Sequence, residues 1–288
     1  MGRTVFIIGN YAFLTALSLL CIFPLIHMFA LSLSSGAAAA AGKVSLWPVD
    51  FTTAAYRNIV SKPEYLTAFG ISGKRLILGT AISVVLTIVT AYPLSKDNSA
   101  FQFRTWYTWF FVFTILFGGG LVPWFMTIKQ LGLMDTIWAL VLPGALTVFN
   151  VILLLNFYRG LPKELDESAK MDGAGHFRTL WSIIVPLSKP ALATIGLFTM
   201  VGHWNSWFDG LILMNRPEHY PLQTFLQTIV IKKDMRFMTS QDAELLRLIS
   251  DRTSGAAQIF VASLPILLVY PFLQRFFIKG IVLGSVKE

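Results

Sequence analysis

Leu161–Pro190 reads LPKELDESAKMDGAGHFRTLWSIIVPLSKP, a charged stretch set between two long apolar spans. Pro162 suits the first position of a helix, where its missing N–H is not needed. Glu164, Asp166 and Glu167 then fall in the first turn, beside the positive end of the helix dipole. Asp172-Gly173 is a turn signal that stops this helix. A second short helix is predicted from Ala174 to Val185, meeting Pro186. Leu165, Ser168, Ala169 and Asp172 recur at spacings that share one helical face. That face is small and apolar, with Lys163, Glu167 and Lys170 at its border. Small residues let a partner backbone come near, and Gly173 permits a sharp turn. An otherwise apolar chain that spends a loop on ordered, charged helix is expected to dock another protein there.

The rest of the chain belongs in a bilayer. Of 288 residues, 55% are hydrophobic and 13% charged, where soluble domains carry about a quarter charged residues. Mean hydropathy is +0.65. The net charge of +8 suits basic cytoplasmic loops. Its Lys and Arg are scattered between apolar spans rather than gathered into a patch, which argues against nucleic acid. Cys21 is the single cysteine, so neither an intrachain disulfide nor a cysteine zinc site can form. Arg3 before an apolar run, with Ala37–Ala41 further on, mimics a signal peptide. But Val5–Leu33 is far longer than the roughly 7–15 residues of a signal core, and is expected to stay as a first membrane helix.

A helix needs about 20 apolar residues to cross the hydrocarbon core. Six candidate spans result: Val5–Leu33, Ile71–Leu94, Thr105–Ile128, Thr136–Tyr158, Leu187–Phe208 and Ala256–Ile278. Gly119-Gly120 and Pro123 predict a break or kink in the third. Pro93, Pro123 and Pro143 each remove a helical hydrogen bond, and kinks there could shape a cavity. Six spans place both termini on one side. Short loops weigh most in the positive-inside rule. Ser95–Arg104 carries Lys96 and Arg104, and the Leu161–Pro190 loop carries Lys163, Lys170, Arg178 and Lys189. The short opposite loop carries Lys129 alone. Both termini and the charged loop are therefore expected in the cytoplasm, with Ser34–Gly70 and Asp209–Gly255 outside.

The charged loop resembles the signature (EAA) loop of ABC importer permeases. Glu167-Ser168-Ala169 stands where the family has Glu-Ala-Ala, with Ser168 the departure. Asp172-Gly173-Ala174 matches Asp-Gly-Ala, and Ile184-Val185-Pro186-Leu187 matches the closing Ile-x-Pro-Leu. Span placement, Trp204-Asn205-Ser206-Trp207 and the tail Phe277-Ile278-Lys279-Gly280 look like the carbohydrate-uptake branch, near the shorter maltose-type permease. Phe117-Gly118-Gly119-Gly120-Leu121-Val122-Pro123 looks closer to importers of complex oligosaccharides, including alginate-type systems. The resemblance implies an all-α membrane protein, a single permease domain over residues 1–288. Its six transmembrane helices carry a cytoplasmic coupling loop, 161–186, between helices four and five. It implies an inner-membrane location, a second permease subunit that in that family's pattern is a different chain, two cytoplasmic ATPase subunits and a solute-binding protein that delivers an oligosaccharide. It also implies docking of the ATPase on Glu164, Leu165, Glu167, Ser168, Ala169, Asp172, Gly173 and Ala174. The chain has no Gly-x-x-x-x-Gly-Lys-Ser/Thr phosphate loop. No cofactor is expected on this chain, and ATP and Mg belong to the ATPase partners.

Candidate pathway residues follow from the chemistry of sugars, which present apolar ring faces and hydroxyl edges. Asn150 lies mid-span, where an amide should face the bundle or a cavity; its bland role is an interhelical hydrogen bond. Trp204, Asn205, Trp207 and Asp209 gather with His203 near the outer end of span five. Tryptophan is also a common interfacial anchor. His203 has no ligand set for a metal. Phe110, Phe111, Phe113 and Phe117 read as lipid-facing or packing groups, and Lys232, Lys233 and Arg236 as a solvated loop face. A secondary transporter driven by an ion gradient is the rival function. The spans hold almost no Asp or Glu, which disfavours it. An intramembrane enzyme finds no His-Glu-x-x-His or Gly-x-Ser-x-Gly motif to support it.

Overall fold

The computed structural model describes residues 2–233 and 251–285, and among them every regular element is helical. The helices are α1 (Gly2–Ser32), α2 (Gly36–Ala40), α3 (Ala54–Val60), α4 (Pro63–Ser95), α5 (Arg104–Leu116), α6 (Leu121–Gln130) and α7 (Ile137–Val141). They continue as α8 (Val148–Arg159), α9 (Glu164–Met171), α10 (His176–Leu187), α11 (Lys189–Asn205), α12 (Phe208–Leu213), α13 (Leu222–Lys233) and α14 (Asp251–Ser285).

The expectation of six continuous spans needs correction. Three helical stretches are long and apolar enough to cross a bilayer: Arg3–Ser32, Pro63–Ser95 and Arg252–Phe272. Thr105–Ile128 is not one helix, because α5 and α6 meet at 115°. Gly118, Gly119 and Gly120 offer no side chains to hold a helix there, and Gly120 adopts φ +83. Pro123 falls in the first turn of α6, where a missing N–H costs nothing. Thr136–Tyr158 also divides: α7 stops at Val141 and α8 starts at Val148, with Pro143 and Gly144 in the break. The α10 and α11 axes meet at 82°. Pro93 does not interrupt α4. The loop expected over Ser34–Gly70 contains α2, α3 and the start of α4. Ser35 caps α2, its hydroxyl accepting from the Ala38 N–H at 3.2 Å.

The chain divides into two compact units. One is Met1–Leu66 with Phe225–Pro265. There Ala30, Ala38 and Val44 form a small core, and Ser34 stitches it by donating to the Ala30 carbonyl and accepting from the Val49 N–H. Tyr65 donates to the Gln258 carbonyl at 3.2 Å. Most of α1 is exposed, Phe6 and Leu20 by about 70%, which lipid can solvate.

The other unit is Thr67–Thr224 with Ile266–Glu288. Its core joins Ile88, Ala91, Tyr92 and Leu94 of α4 to Val151, Leu154 and Tyr158 of α8, Leu180 and Ile184 of α10, and Ile195 of α11. Phe111 packs against it, whereas Phe110, Phe113 and Phe117 are exposed. A second cluster joins Ile128 of α6, Ala139 and Leu140 of α7, and Leu213 and Met214. The side chains of Lys232, Lys233, Arg236 and Arg247 lie outside the described residues.

Candidate functional site

The charged loop folds as its sequence dictates. α9 carries Glu164, Asp166 and Glu167 in its first turn. Pro162 precedes the helix, and its carbonyl accepts from the Leu165 N–H at 3.4 Å. The helix ends in a complete Schellman turn. Gly173 N–H donates to Lys170 O at 3.0 Å, and Ala174 N–H donates to Ala169 O at 2.9 Å. Gly173 has φ +74, with open space where a Cβ would sit. The second helix starts at His176 and passes through a π turn, Leu180–Ile184. Pro186 does not stop it; the helix continues to Leu187, and Ser188 marks the bend into α11.

The helical face predicted from spacing is divided in the structure between buried and exposed residues. Ala169 is buried, at 3% exposure, and Leu165 is half-buried. Both face their own unit and hold α9 in place. Glu164, Glu167, Ser168, Asp172 and Gly173 are exposed, and Ala174 is half-buried. Beyond them stand two large apolar side chains, Met171 at 85% and Phe177 at 76% exposure. An ion pair braces the inner side: Lys96 Nζ to Asp166 at 2.6 Å, both side chains largely buried. The same ammonium lies 4.3 Å from the Tyr92 ring centroid. Arg159 reaches the end of α4, donating to the Leu94 carbonyl at 3.3 Å. α9 is thus fastened to Lys96, just past α4, while Arg159 ties the end of α8 to α4.

A cavity of about 620 Å³ opens elsewhere in the same unit. Pro143 and Gly144, in the break between α7 and α8, form part of its wall. Asn150 lines it and is 4% exposed. Its Nδ2 donates to Thr199 Oγ1 at 3.3 Å, joining α8 to α11. The interhelical bond and the lining position therefore coexist. Asp209 also lines the cavity, and its partner is Arg75 of α4, 3% exposed. Arg75 Nη1 donates to Asp209 Oδ1 at 3.1 Å and to the Ser206 carbonyl at 3.4 Å, while Nη2 pairs with Oδ2. Ser206 Oγ and the Gly210 N–H add donors to Oδ1 at 2.8 and 2.9 Å. His203 lines the cavity too, its ring against Gly79: a Cβ on Gly79 would fall 2.6 Å from His203 Cε1.

The outer tryptophan cluster is not brought to this cavity. Trp204 is 3% exposed and packs edge-on to Phe69, with centroids 5.6 Å apart. Asn205 is exposed at the end of α11. Trp207 packs edge-on to Phe208, and its carbonyl accepts from Thr224 Oγ1 at 2.7 Å. None of the three lines the cavity. Only Asn150 and Asp209 of the predicted pathway group do so.

Asp135, between α6 and α7, forms a clasp that sequence reasoning missed. It holds φ +61. Its carboxylate accepts from the Asn215 N–H at 3.1 Å and from Arg216 Nε at 2.8 Å, and His219 Nδ1 lies 2.9 Å away. Burial alone would raise this carboxyl. Hydrogen bonds from Arg216, His219 and the Asn215 N–H outweigh it, with the charge of His219, and hold it down to about 2. Arg75 was missed as well. The sequence reading weighs acids within spans and passes over Lys74-Arg75, although a cation there is a functional signal in its own right.

A family model described as binding-protein-dependent transport system inner membrane component matches residues 84–282. The chain is 39% identical over 286 residues to Protein LplC of Bacillus subtilis (strain 168), covering 99% of this chain and 96% of that protein. It is likewise 39% identical to the polygalacturonan/rhamnogalacturonan transport system permease protein YtcP of the same organism, covering 96% of each. It is 26% identical to that organism's maltodextrin transport system permease protein MdxG, covering 97% of this chain and 96% of that protein. A chain from the crystal structure of a bacterial ABC transporter involved in the import of the acidic polysaccharide alginate superposes with TM-score 0.87 at 31% identity. The match covers 96% of this chain and 98% of that one.

Proposed function

The chain belongs to the family of binding-protein-dependent transport system inner membrane components, and from that premise we propose how its parts work. It is a membrane permease subunit of an ABC importer, a transport pore component rather than an enzyme. Our reading makes it half of a pore for an oligosaccharide handed over by a solute-binding protein. The relatives' polygalacturonan/rhamnogalacturonan and maltodextrin transport, and the structural neighbour's alginate import, support a sugar cargo. The second half of the pore is a different permease chain. Two cytoplasmic ATPase subunits hold the ATP and Mg.

The observation that carries the mechanism is the anchored helix α9 with Met171 and Phe177 standing free beside it. An ATPase that grips Glu164, Glu167, Ser168, Met171 and Phe177 pulls on α9. Lys96–Asp166, the half-buried Leu165 and the buried Ala169 pass that pull to α4 and the core. Docking alone changes nothing unless the ATPase contacts differ between two states of the pore. ATP-bound and ATP-free ATPase pairs supply that difference. The permease works as one domain over residues 1–288, with loop 161–186 as its lever. Its six crossings are α1, α4, the α5–α6 pair, α7–α8, α11 and α14. Both termini and α9 face the cytoplasm in the inner membrane, and Asp135 and Glu218 face outward. Asn150 and Asp209 line the sugar's path, and Trp204, Asn205 and Trp207 stand apart from the cavity.

The test is to express the chain with candidate ATPase, permease and binding-protein subunits and to assay sealed vesicles. Co-purification of the ATPase and sugar uptake that requires ATP support the reading. Uptake that follows a collapsible proton or sodium gradient, with no ATPase bound, contradicts it and favours secondary transport.

A further inference from the structure

Asp209 has more donors than it needs and Arg75 has fewer acceptors than it can use. The Asp209 carboxylate receives Arg75 Nη1 and Nη2, Ser206 Oγ and the Gly210 N–H. If Arg75 left, Ser206 and Gly210 would still satisfy the anion. Arg75 is placed differently. It offers five N–H donors in a planar fork. Its Nε is buried and has no hydrogen-bond partner. A cation at this depth needs an anion beside it at all times. The pair also borders the cavity directly, with Asn150 and His203 on the same wall. A ligand entering there meets spare donors next to a cation, and an Asp209 whose remaining bonds do not depend on Arg75.

We propose that Arg75 reads a carboxylate on the transported sugar, and that Asp209 is the resident carboxylate which the substrate displaces. The inference rests on the permease reading above and names its cargo: an oligosaccharide bearing uronic-acid groups. With the cavity empty, Asp209 neutralises Arg75. When an acidic sugar arrives, its carboxylate takes the guanidinium fork in a bidentate pair. Asp209 then swings onto Ser206 Oγ and the Gly210 N–H. The cation is never left alone, and Asp209 keeps two neutral donors in place of the guanidinium. A neutral sugar can offer hydroxyl oxygens but no anion, and cannot compete with Asp209. Discrimination thus arises from the pairing already built into the empty site.

The experiment uses the complete importer in proteoliposomes with its binding protein. The probes are trigalacturonate and its fully methyl-esterified, uncharged counterpart, and uptake is expressed per assembled complex. Arg75→Gln alone leaves Asp209 without its cation and risks misfolding, so Arg75→Gln/Asp209→Asn is measured beside it as a pair without charge. The wild type should prefer the acid, and the ratio of acid to ester uptake should fall at least about tenfold in the double variant. The same binding protein serves both, so the change reports on the permease. An unchanged ratio, or equal wild-type uptake of acid and ester, overturns the proposal and leaves the importer reading standing. ATP-driven uptake of neither sugar overturns both.

Discussion

The α9 loop and the 620 Å³ cavity belong to one compact unit and are built in opposite ways. The loop's parts are contiguous. Acids, a glycine stop and a second helix follow one another within Leu161–Pro190, and each acts on its near neighbours. The cavity's central pair joins residues 134 positions apart. Its wall comes from helix breaks and from α4, α8 and α11. On the function proposed above, energy input enters through a local motif, whereas cargo selection rests on long-range assembly. Damage to the loop should therefore uncouple an intact pore, and damage to the cavity should alter selection in a coupled one.

The largest effect separates packing from the path. Trp204→Ala removes a buried ring from the Phe69 contact. It should cost about 3–5 kcal/mol of stability, read as a lower melting temperature, with uptake per folded molecule unchanged. Slower uptake at undiminished stability would return Trp204 to the substrate path and blur the comparison.

Next comes the loop. Gly173→Val forces a β-branched residue to φ +74, a strain of about 1–3 kcal/mol. Space is open around the position, so the effect is conformational. The variant should fold but lose ATPase binding or waste ATP without uptake. Gly175→Ala, at φ −70, should behave as wild type within about 0.5 kcal/mol. Full assembly and uptake by Gly173→Val would sink the docking role of this turn.

Asn150→Leu keeps approximate volume and deletes one interhelical bond. Thr199 Oγ1 still donates to the Ile195 carbonyl at 2.8 Å, so no hydroxyl is stranded. The stability cost should be about 0.5–1.5 kcal/mol, with uptake slowed several-fold at unchanged ATPase binding. Lost stability with normal uptake per folded molecule would assign Asn150 to packing alone.

The smallest effect at neutral pH concerns the Asp135 clasp. Its carboxyl lies at about 2 when folded, against 3.8 unperturbed. A depressed folded value stabilises above the unfolded one and is lost as pH falls through the folded one. Amide exchange across 213–219, corrected for intrinsic rate, should be constant above about pH 4 and accelerate between about 4 and 2. Asp135→Asn should remove that step. A flat profile through that range would contradict the clasp's role.

The same contrast explains what the sequence revealed. α9, its capping turn and the φ of Gly173 follow from neighbours on the chain, so they were readable. The division of its predicted face into buried and exposed residues was not. Which side of α9 is buried depends on Lys96, Tyr92 and the end of α4, which a helical wheel does not contain. The glycine run before Pro123 announced the break between α5 and α6, but its 115° angle did not follow from sequence. Pro143 and Pro93 illustrate the limit. Pro143 sits in a helix break beside Gly144, while Pro93 is absorbed within α4. Asn150 and Asp209 could be singled out as polar groups in apolar surroundings. That Arg75 would meet Asp209 needed the tertiary fold.

One labelling experiment tests the central claim most directly. Ser168 and Glu218 are both exposed. Each is replaced singly by cysteine in a Cys21→Ala background, and sealed vesicles are treated with an impermeant thiol reagent, with and without bound ATPase subunits. The account predicts that position 218 is labelled from outside whatever the ATPase does. Position 168 should be labelled only from the cytoplasmic side, and only when the ATPase is absent. Labelling of both from one side, or of 168 through a bound ATPase, would contradict it.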